Sequence, residues 1–206
     1  MRALRILKDV DIVVCEERKE GARLLSHYDI QKPLIPLNEH NESAASAVTL
    51  EELKNGKNVA LISDCGTPLF SDPGTLLVKK AIHTNIKIVP LPGASSLLPA
   101  LIVSGFDIKQ FLFYGFLSPK REHRIIELLQ LKKEHRSIVL MDTPYRLMQV
   151  LRDVSEVFGA SRKLSVAFNV TMPDEEIVRG TSADLLNYFS KNNSKGEYVI
   201  VVENLK

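Results

Sequence analysis

Short apolar runs alternating with segments of helical spacing constrain this chain more than any other feature. Asp11-Ile-Val-Val-Cys15, Asn58-Val-Ala-Leu-Ile-Ser63 and Ile86-Lys-Ile-Val-Pro90 are too short for helices, and their apolar residues are nearly consecutive, as in a strand buried on both faces. Helical spacing fills the intervals. Ala3, Leu4, Ile6 and Leu7 open the chain as a helix, and further helices are predicted over 21–28, from about 43 to 54, after Asp72-Pro-Gly74, and over 94–104, with an extended Pro33-Leu-Ile-Pro36 among them. Repeated βα units with apolar strands predict a parallel sheet covered by helices on both faces.

The rhythm changes at the turn-rich Ser104-Gly-Phe-Asp-Ile-Lys-Gln110, which places a domain boundary there and gives domains 1–108 and 109–206. Downstream, strands are predicted over 111–114, 137–141, 163–168, 175–179 and 197–203, and helices over 121–132, 145–158 and 183–189. Strands only a few residues apart cannot be parallel neighbours, because a parallel crossover needs a dozen or more residues. The second domain is therefore expected to hold a mixed sheet, in an α/β chain whose first domain holds a parallel one.

At 206 residues and 45% hydrophobic, the chain has enough apolar material for a sizeable core. Its 27 basic and 25 acidic side chains leave a formal charge of +2, so no global field favours nucleic acid and any such recognition is local. The first domain carries 12 Lys/Arg against 13 Asp/Glu and the second 15 against 12, which makes the second the more basic. Cys15 and Cys65 offer no disulfide framework and no Cys-x-x-Cys pair, favouring a reducing cytosol. No signal-type apolar core opens the chain, and no apolar run nears the roughly 20 residues that span a bilayer, so a soluble cytoplasmic protein without membrane contact is expected.

Two loops can carry chemistry. In open α/β sheets, ligands bind beyond the carboxyl ends of the strands, where loops lead into helices. After Ser63, Asp64-Cys-Gly-Thr-Pro-Leu-Phe-Ser-Asp-Pro-Gly74 packs two Gly, two Pro and two Asp into eleven residues; glycine admits close backbone approach and proline holds the loop in shape. After Val89, Pro92-Gly-Ala-Ser-Ser96 runs into a helix and offers amides and two hydroxyls to a carboxylate or a ribose. The same residues also suit plain tight turns and a helix cap by Ser95. Their two strands are expected to be sheet neighbours. Dinucleotide and P-loop phosphate motifs, Cys-x-x-Cys and His-x-x-x-His metal spacing, and a Gly-x-Ser-x-Gly elbow are all absent, and no metal is expected.

Ser63-Asp-Cys-Gly-Thr-Pro-Leu-Phe-Ser-Asp-Pro-Gly74 resembles the Ser-Asp-Ala-Gly-Thr-Pro-x-Ile-Ser-Asp-Pro-Gly signature of the ribosomal RNA small subunit methyltransferase I family, a branch of the tetrapyrrole methylase superfamily. Glu39-His-Asn-Glu42, Val89 to Ser96, Phe111 to Leu117, Thr143-Pro-Tyr-Arg146, Val178-Arg-Gly-Thr181 and Lys195 to Val199 follow in the family's order, so the resemblance spans essentially the whole chain. It implies two α/β domains with S-adenosylmethionine in the cleft between them, usually as a homodimer. It also implies methylation of a cytidine ribose 2'-hydroxyl in small-subunit ribosomal RNA. By the same resemblance Asp64, Gly66, Thr67, Phe70, Gly93, Ser95, Ser96, Asp142 and Val170 line the cofactor.

The chain departs from that pattern in two ways. Relatives begin with a strand and a Pro-x-Gly-Asn-type loop ahead of the helix at 1–8 and often extend past the final Val-Val-Glu, and neither segment is in this sequence; without such a strand a sheet edge or hole is expected. Glu16-Glu-Arg-Lys19 and Phe168-Asn-Val-Thr-Met172 replace the relatives' Glu-Asp-Thr-Arg and Arg-Glu-Leu-Thr-Lys, which changes the charges offered to phosphate. In-line methyl transfer to a ribose hydroxyl is helped by a base within hydrogen-bond reach, and Glu17, Glu39, His40 and Asp72 are the candidates, each of which also suits a capping or solvated role. A methylase of a tetrapyrrole or other small molecule, and a cofactor-binding protein without turnover, are the alternative readings.

Overall fold

The computed structural model describes residues 2–192 and 194–203. The chain forms two compact units, Met1–Ala94 and Ser95–Lys206. The first contains α1 (Arg2–Asp9), β1 (Ile12–Cys15), α2 (Arg18–His27), β2 (Leu34–Pro36), α3 (Glu42–Lys54), β3 (Val59–Leu61) and α4 (Thr75–His83). Its sheet has the order β2-β1-β3 with every pairing parallel, Val13 lying opposite both Leu34 and Ala60. Period-two alternation sorts the side chains onto two faces. Val13, Leu34, Ala60 and Ile62 meet Leu7, Val10, Leu25 and Ile30 from the α1 and α2 side, while Val14, Ile35, Val59 and Leu61 meet Ala45, Leu53 and Leu77 of α3 and α4. Gly21 allows α2 to press on β1, since a Cβ there would sit 2.7 Å from Cys15 Sγ.

The strand predicted at 86–90 does not form. Ile86 N–H bonds back to the Ala81 carbonyl at the end of α4, and no ladder follows; Ile88 and Val89 remain 44% and 50% exposed. An extended apolar segment becomes a strand only where a partner edge meets its backbone. Among the described residues β3 is paired on one side alone, with β1, so the expected neighbour relation of the two loop-bearing strands is corrected: their loops meet, but their backbones form no ladder.

The second unit contains α5 (Leu97–Ser104), β4 (Phe111–Phe116), α6 (Arg121–Leu131), β5 (Ser137–Asp142), α7 (Leu147–Phe158), β6 (Lys163–Phe168), β7 (Glu176–Thr181), α8 (Ser182–Lys191) and β8 (Tyr198–Val202). The sheet order is β4-β5-β8-β6-β7, with β4 and β5 parallel and the remaining pairs antiparallel. One face, with Ile138, Leu140, Leu164, Val166 and Ile200, packs on α6, α7 and α8; the other, with Val139, Ala167, Val199 and Val201, packs on Ala100 and Leu101 of α5. That packing places α5 in the second unit, so the compact units divide at 94/95 and not at the turn-rich segment near 108.

An ion network joins α6 to α7. Asp153, 3% exposed, accepts from Arg124 Nε at 2.7 Å and Arg121 Nε at 3.0 Å, and Arg124, 2% exposed, also donates to the Ser118 and Pro119 carbonyls at 2.9 and 3.1 Å. Removing one partner of a buried pair strands the other charge without solvent. Asp153→Ala should therefore destabilise the chain by about 3–5 kcal/mol in denaturant melts. Arg121→Ala, which removes a largely exposed partner, should cost no more than about 1 kcal/mol.

Candidate functional site

Because β1, β2 and β3 are parallel, the segments that leave them, Glu16–Glu17, 37–42 and 63–74, emerge at one end of the first unit's sheet. The 63–74 loop is braced locally: Ser63 Oγ donates to the Cys65 carbonyl and accepts from the Cys65 N–H, both at 3.1 Å. Thr67 Oγ1 donates to the Ala94 carbonyl at 2.9 Å and fastens this loop to the one that follows Pro90. Gly66 has φ +83°, and among the described residues beyond its chain neighbours a Cβ there would meet the Ala94 carbonyl oxygen at 3.5 Å and nothing else within 4 Å. Leu69 and Ser71 also hold left-handed conformations, at φ 70° and 72°, which non-glycine residues sustain at a cost of about 1–3 kcal/mol each where the surroundings enforce them. At the loop's far end Glu42 reaches from α3, and its Oε1 accepts the N–H groups of Gly74 and Leu76 at 2.9 and 3.0 Å. These bonds hold the Glu42 carboxyl below the ordinary carboxylate range and satisfy the first turn of α4.

The second loop is less occupied with itself. Ser96 is the N-cap residue of α5, yet its side chain makes no capping bond, and neither Ser95 nor Ser96 hydroxyl has a hydrogen bond among the described residues. The capping role that the sequence allows for Ser95 is therefore not taken up. Residues 92–95 are exposed, as are 64–67, so both loops present glycine backbone to solvent.

Carboxylates dominate the same end of the sheet. Burial, and then repulsion from Asp72, Asp64, Glu17 and Glu39, raises the Glu16 carboxyl above its ordinary range. Glu17 is exposed at the N-cap of α2, with its N–H 3.4 Å from Asp64 Oδ1. Asp72 has its Oδ2 buried without a hydrogen-bond partner among the described residues. Glu39 and His40 form a surface pair, Nε2 to Oε1 3.7 Å, with both side chains more than four-fifths exposed. Glu17, Glu39, His40, Asp64, Gly66, Thr67, Phe70, Asp72 and Gly93 thus belong to the first unit's loops. The sequence reading overlooked Glu16, whose position directly after a fully buried strand was the available signal.

Asp142 and Val170 belong to the second unit. Asp142 ends β5, 3% exposed; its Oδ1 accepts from the Thr143 N–H at 2.7 Å and pairs with Arg146 Nη1 at 3.0 Å, while Oδ2 has no partner among the described residues. Desolvation raises its carboxyl above the ordinary range despite Arg146. Val170 is half-buried against the face that packs on α5. Among the described residues no group of three or more His, Cys, Asp and Glu is arranged to hold a metal, and no helix is long and apolar enough to cross a membrane.

This pairing of a parallel-sheet unit with a five-stranded mixed-sheet unit is an α/β methyltransferase fold. Solved structures that share it include the cobalamin biosynthetic enzyme cobalt precorrin-4 methyltransferase, at a TM-score of 0.67 and 17% identity over 98% of this chain and 87% of that one. Another is uroporphyrin-III-C-methyltransferase from Thermus thermophilus, at 0.64 and 19% over 98% and 86%. The profile of the Tetrapyrrole (Corrin/Porphyrin) Methylases matches residues 1–186. Proteins named ribosomal RNA small subunit methyltransferase I are 39% identical in Synechocystis sp., over 98% of this chain and 72% of the relative, and 38% identical in Bacillus subtilis, over 98% and 69%. The Thermotoga maritima protein of that name is 39% identical over 98% and 90%. The chain belongs to the tetrapyrrole methylase family, in its ribosomal RNA small subunit methyltransferase I branch, and is a methyltransferase.

The raised Glu16 carboxyl has a signed consequence. A carboxyl whose folded value lies above its unfolded value supports the fold at low pH, and this support is lost as the pH rises through the folded value. Glu16→Gln should therefore raise the melting temperature at pH 8, with the gain vanishing near pH 4. Thermal melts at the two pH values test this, and an equal effect at both would refute the raised carboxyl.

Proposed function

We propose that this methyltransferase moves the methyl group of S-adenosylmethionine to the 2'-hydroxyl of a cytidine ribose in small-subunit ribosomal RNA. The observation that carries this reading is the near-full-length likeness to ribosomal RNA small subunit methyltransferase I. The two loops fit the cofactor on three counts. The space beside Gly66 that a Cβ would fill is open apart from one carbonyl, so a ligand can lie against the backbone. The Ser95 and Ser96 hydroxyls and the side-chain-uncapped start of α5 suit a carboxylate and ribose hydroxyls. The carboxylates that repel Glu16 are relieved by a sulfonium cation. Asp64, Gly66, Thr67, Phe70, Gly93, Ser95 and Ser96 would hold the cofactor from these loops. When bound, the cofactor supplies an electrophilic methyl group on that sulfonium.

The chain's own contribution is alignment and a proton acceptor. The Thr67 to Ala94 bond fixes one loop against the other, and a fixed loop pair holds a ligand in one orientation, which is the main demand of an in-line displacement. The attacking hydroxyl must lose a proton. The candidates are Glu17, Glu39, His40 and Asp72, to which Glu16 is added because its carboxyl lies among them and is raised above its ordinary range by burial and then by its neighbours. We place the protein in the cytoplasm as a homodimer, in keeping with the family pattern.

Purified protein, tritiated S-adenosylmethionine and small ribosomal subunits lacking the modification should yield label in a single ribosomal RNA nucleotide, at the ribose. Gly66→Val forces a β-branched residue to φ +83° and should weaken cofactor binding about tenfold or more in calorimetry. RNA left unlabelled by a protein that binds the cofactor would overturn the substrate assignment. Unchanged binding by the valine variant would remove the 63–74 loop from the cofactor site.

A further inference from the structure

We propose that Tyr145 is a platform on which one base of the RNA substrate stacks, with Lys195 serving the adjacent phosphate; this rests on the RNA reading above. Tyr145 is 71% exposed at the turn that follows β5, and the Lys195 ammonium lies 4.8 Å from its ring centroid. The turn does not need the ring. Thr143 N–H donates to Asp142 Oδ1, Arg146 N–H donates to the Thr143 carbonyl at 3.1 Å, Gly196 N–H donates to the Pro144 carbonyl at 3.2 Å, and Arg146 pairs with Asp142 and donates to the Ser118 carbonyl at 2.7 Å. Five bonds therefore fix the backbone on both sides of Tyr145 without using its side chain, so the turn does not require the ring, which stands largely in water beside the Lys195 ammonium.

Its position suits a ligand. Asp142 and Phe168 lie opposite Tyr198, so the carboxyl ends of β5 and β6 and the start of β8 share one end of the sheet, the end from which open α/β folds present ligands. Phe116, 46% exposed, closes β4 at that same end. Asn169 joins the turn that carries Lys195 to the end of β6: its Oδ1 accepts the Glu197 N–H at 2.9 Å, and its N–H donates to the Glu197 carbonyl at 2.8 Å. An aromatic ring on a rigid turn beside a cation is the pair that single-stranded nucleic acid uses, since every base has a π-face and every nucleotide a phosphate. A tyrosine also loses little conformational entropy when a base settles on it.

The test uses the full chain, unmodified small subunits and tritiated S-adenosylmethionine. Tyr145→Ala should raise KM for the subunit roughly 5- to 150-fold, the range measured for loss of a stacking partner, with cofactor affinity and melting temperature unchanged, while Tyr145→Phe stays near wild type. Lys195→Gln should raise KM and lower the salt dependence of binding by about 0.7 in the log–log slope, as for one single-strand phosphate. A wild-type KM in Tyr145→Ala, with the parent protein active, would overturn the platform and leave the RNA reading standing. A loss that falls on cofactor affinity would assign the ring to the cofactor and overturn it equally. An inactive parent on every RNA tested would overturn both readings.

Discussion

Parallel pairing of β1, β2 and β3 is the constraint on which the site depends, because parallel strands must send all their outgoing loops to one end. The consequence is crowding. Glu16 and Glu17 after β1, Glu39 after β2, and Asp64 and Asp72 after β3 are far apart in sequence, yet the other four add to the effect of burial in raising the Glu16 carboxyl. A fold shaped only for stability would disperse such charges. Their concentration beside two exposed glycine loops is the kind of local conflict that globular proteins retain where a ligand resolves it.

The loops themselves are held by bonds that leave their outer surfaces uncommitted. Ser63 turns back on Cys65, Thr67 clasps Ala94, and Glu42 takes the amides of Gly74 and Leu76. Each bond fixes the backbone from the side or from beneath. The second unit uses the same strategy with charge, since Arg124 and Arg146 both grip the carbonyl of Ser118 while anchored to Asp153 and Asp142 respectively. In both units, turns at the carboxyl ends of strands are made rigid by partners drawn from elsewhere in the same unit. Rigid turns are what positioning chemistry requires.

Which elements were legible in the sequence follows from what each one needs. Strands β1, β5, β6 and β8 bury both faces and announce themselves as apolar runs, and the mixed order of the second sheet was foreshadowed by strands too close for a parallel crossover. Ile86 to Pro90 has the same composition and forms no strand, because strand formation needs a second backbone and composition says nothing of whether one is present. The compact units divide at 94/95, ahead of the turn-rich segment near 108, for a related reason. A turn-rich segment marks where the chain bends, but Ala100 and Leu101 decide which sheet α5 covers. At the site, glycine and proline punctuation disclosed both loops. The interaction of Glu16 with four carboxylates is long-range in sequence and could not be read from spacing.

Counting charges also misleads about what the second unit can offer to RNA. Its excess of basic residues suggests a phosphate-binding face, yet several of these side chains are spent internally. Arg124 is buried on Asp153, Arg146 is engaged by Asp142 and two carbonyls, and the exposed Arg136 and Arg179 bond to Glu134 and to the Val103 carbonyl. A guanidinium already engaged with a carboxylate or a carbonyl has fewer donors left for a phosphate. Electrostatic capture by this unit is therefore weaker than its composition suggests, and discrimination must come from contacts that do not depend on net charge. An exposed aromatic ring at a strand end, such as Tyr145 on a turn held in part by Arg146, meets that requirement. The internal use of arginine and the outward display of Tyr145 are in this sense one arrangement: the charge that holds the turn is what allows the ring to stand in solvent.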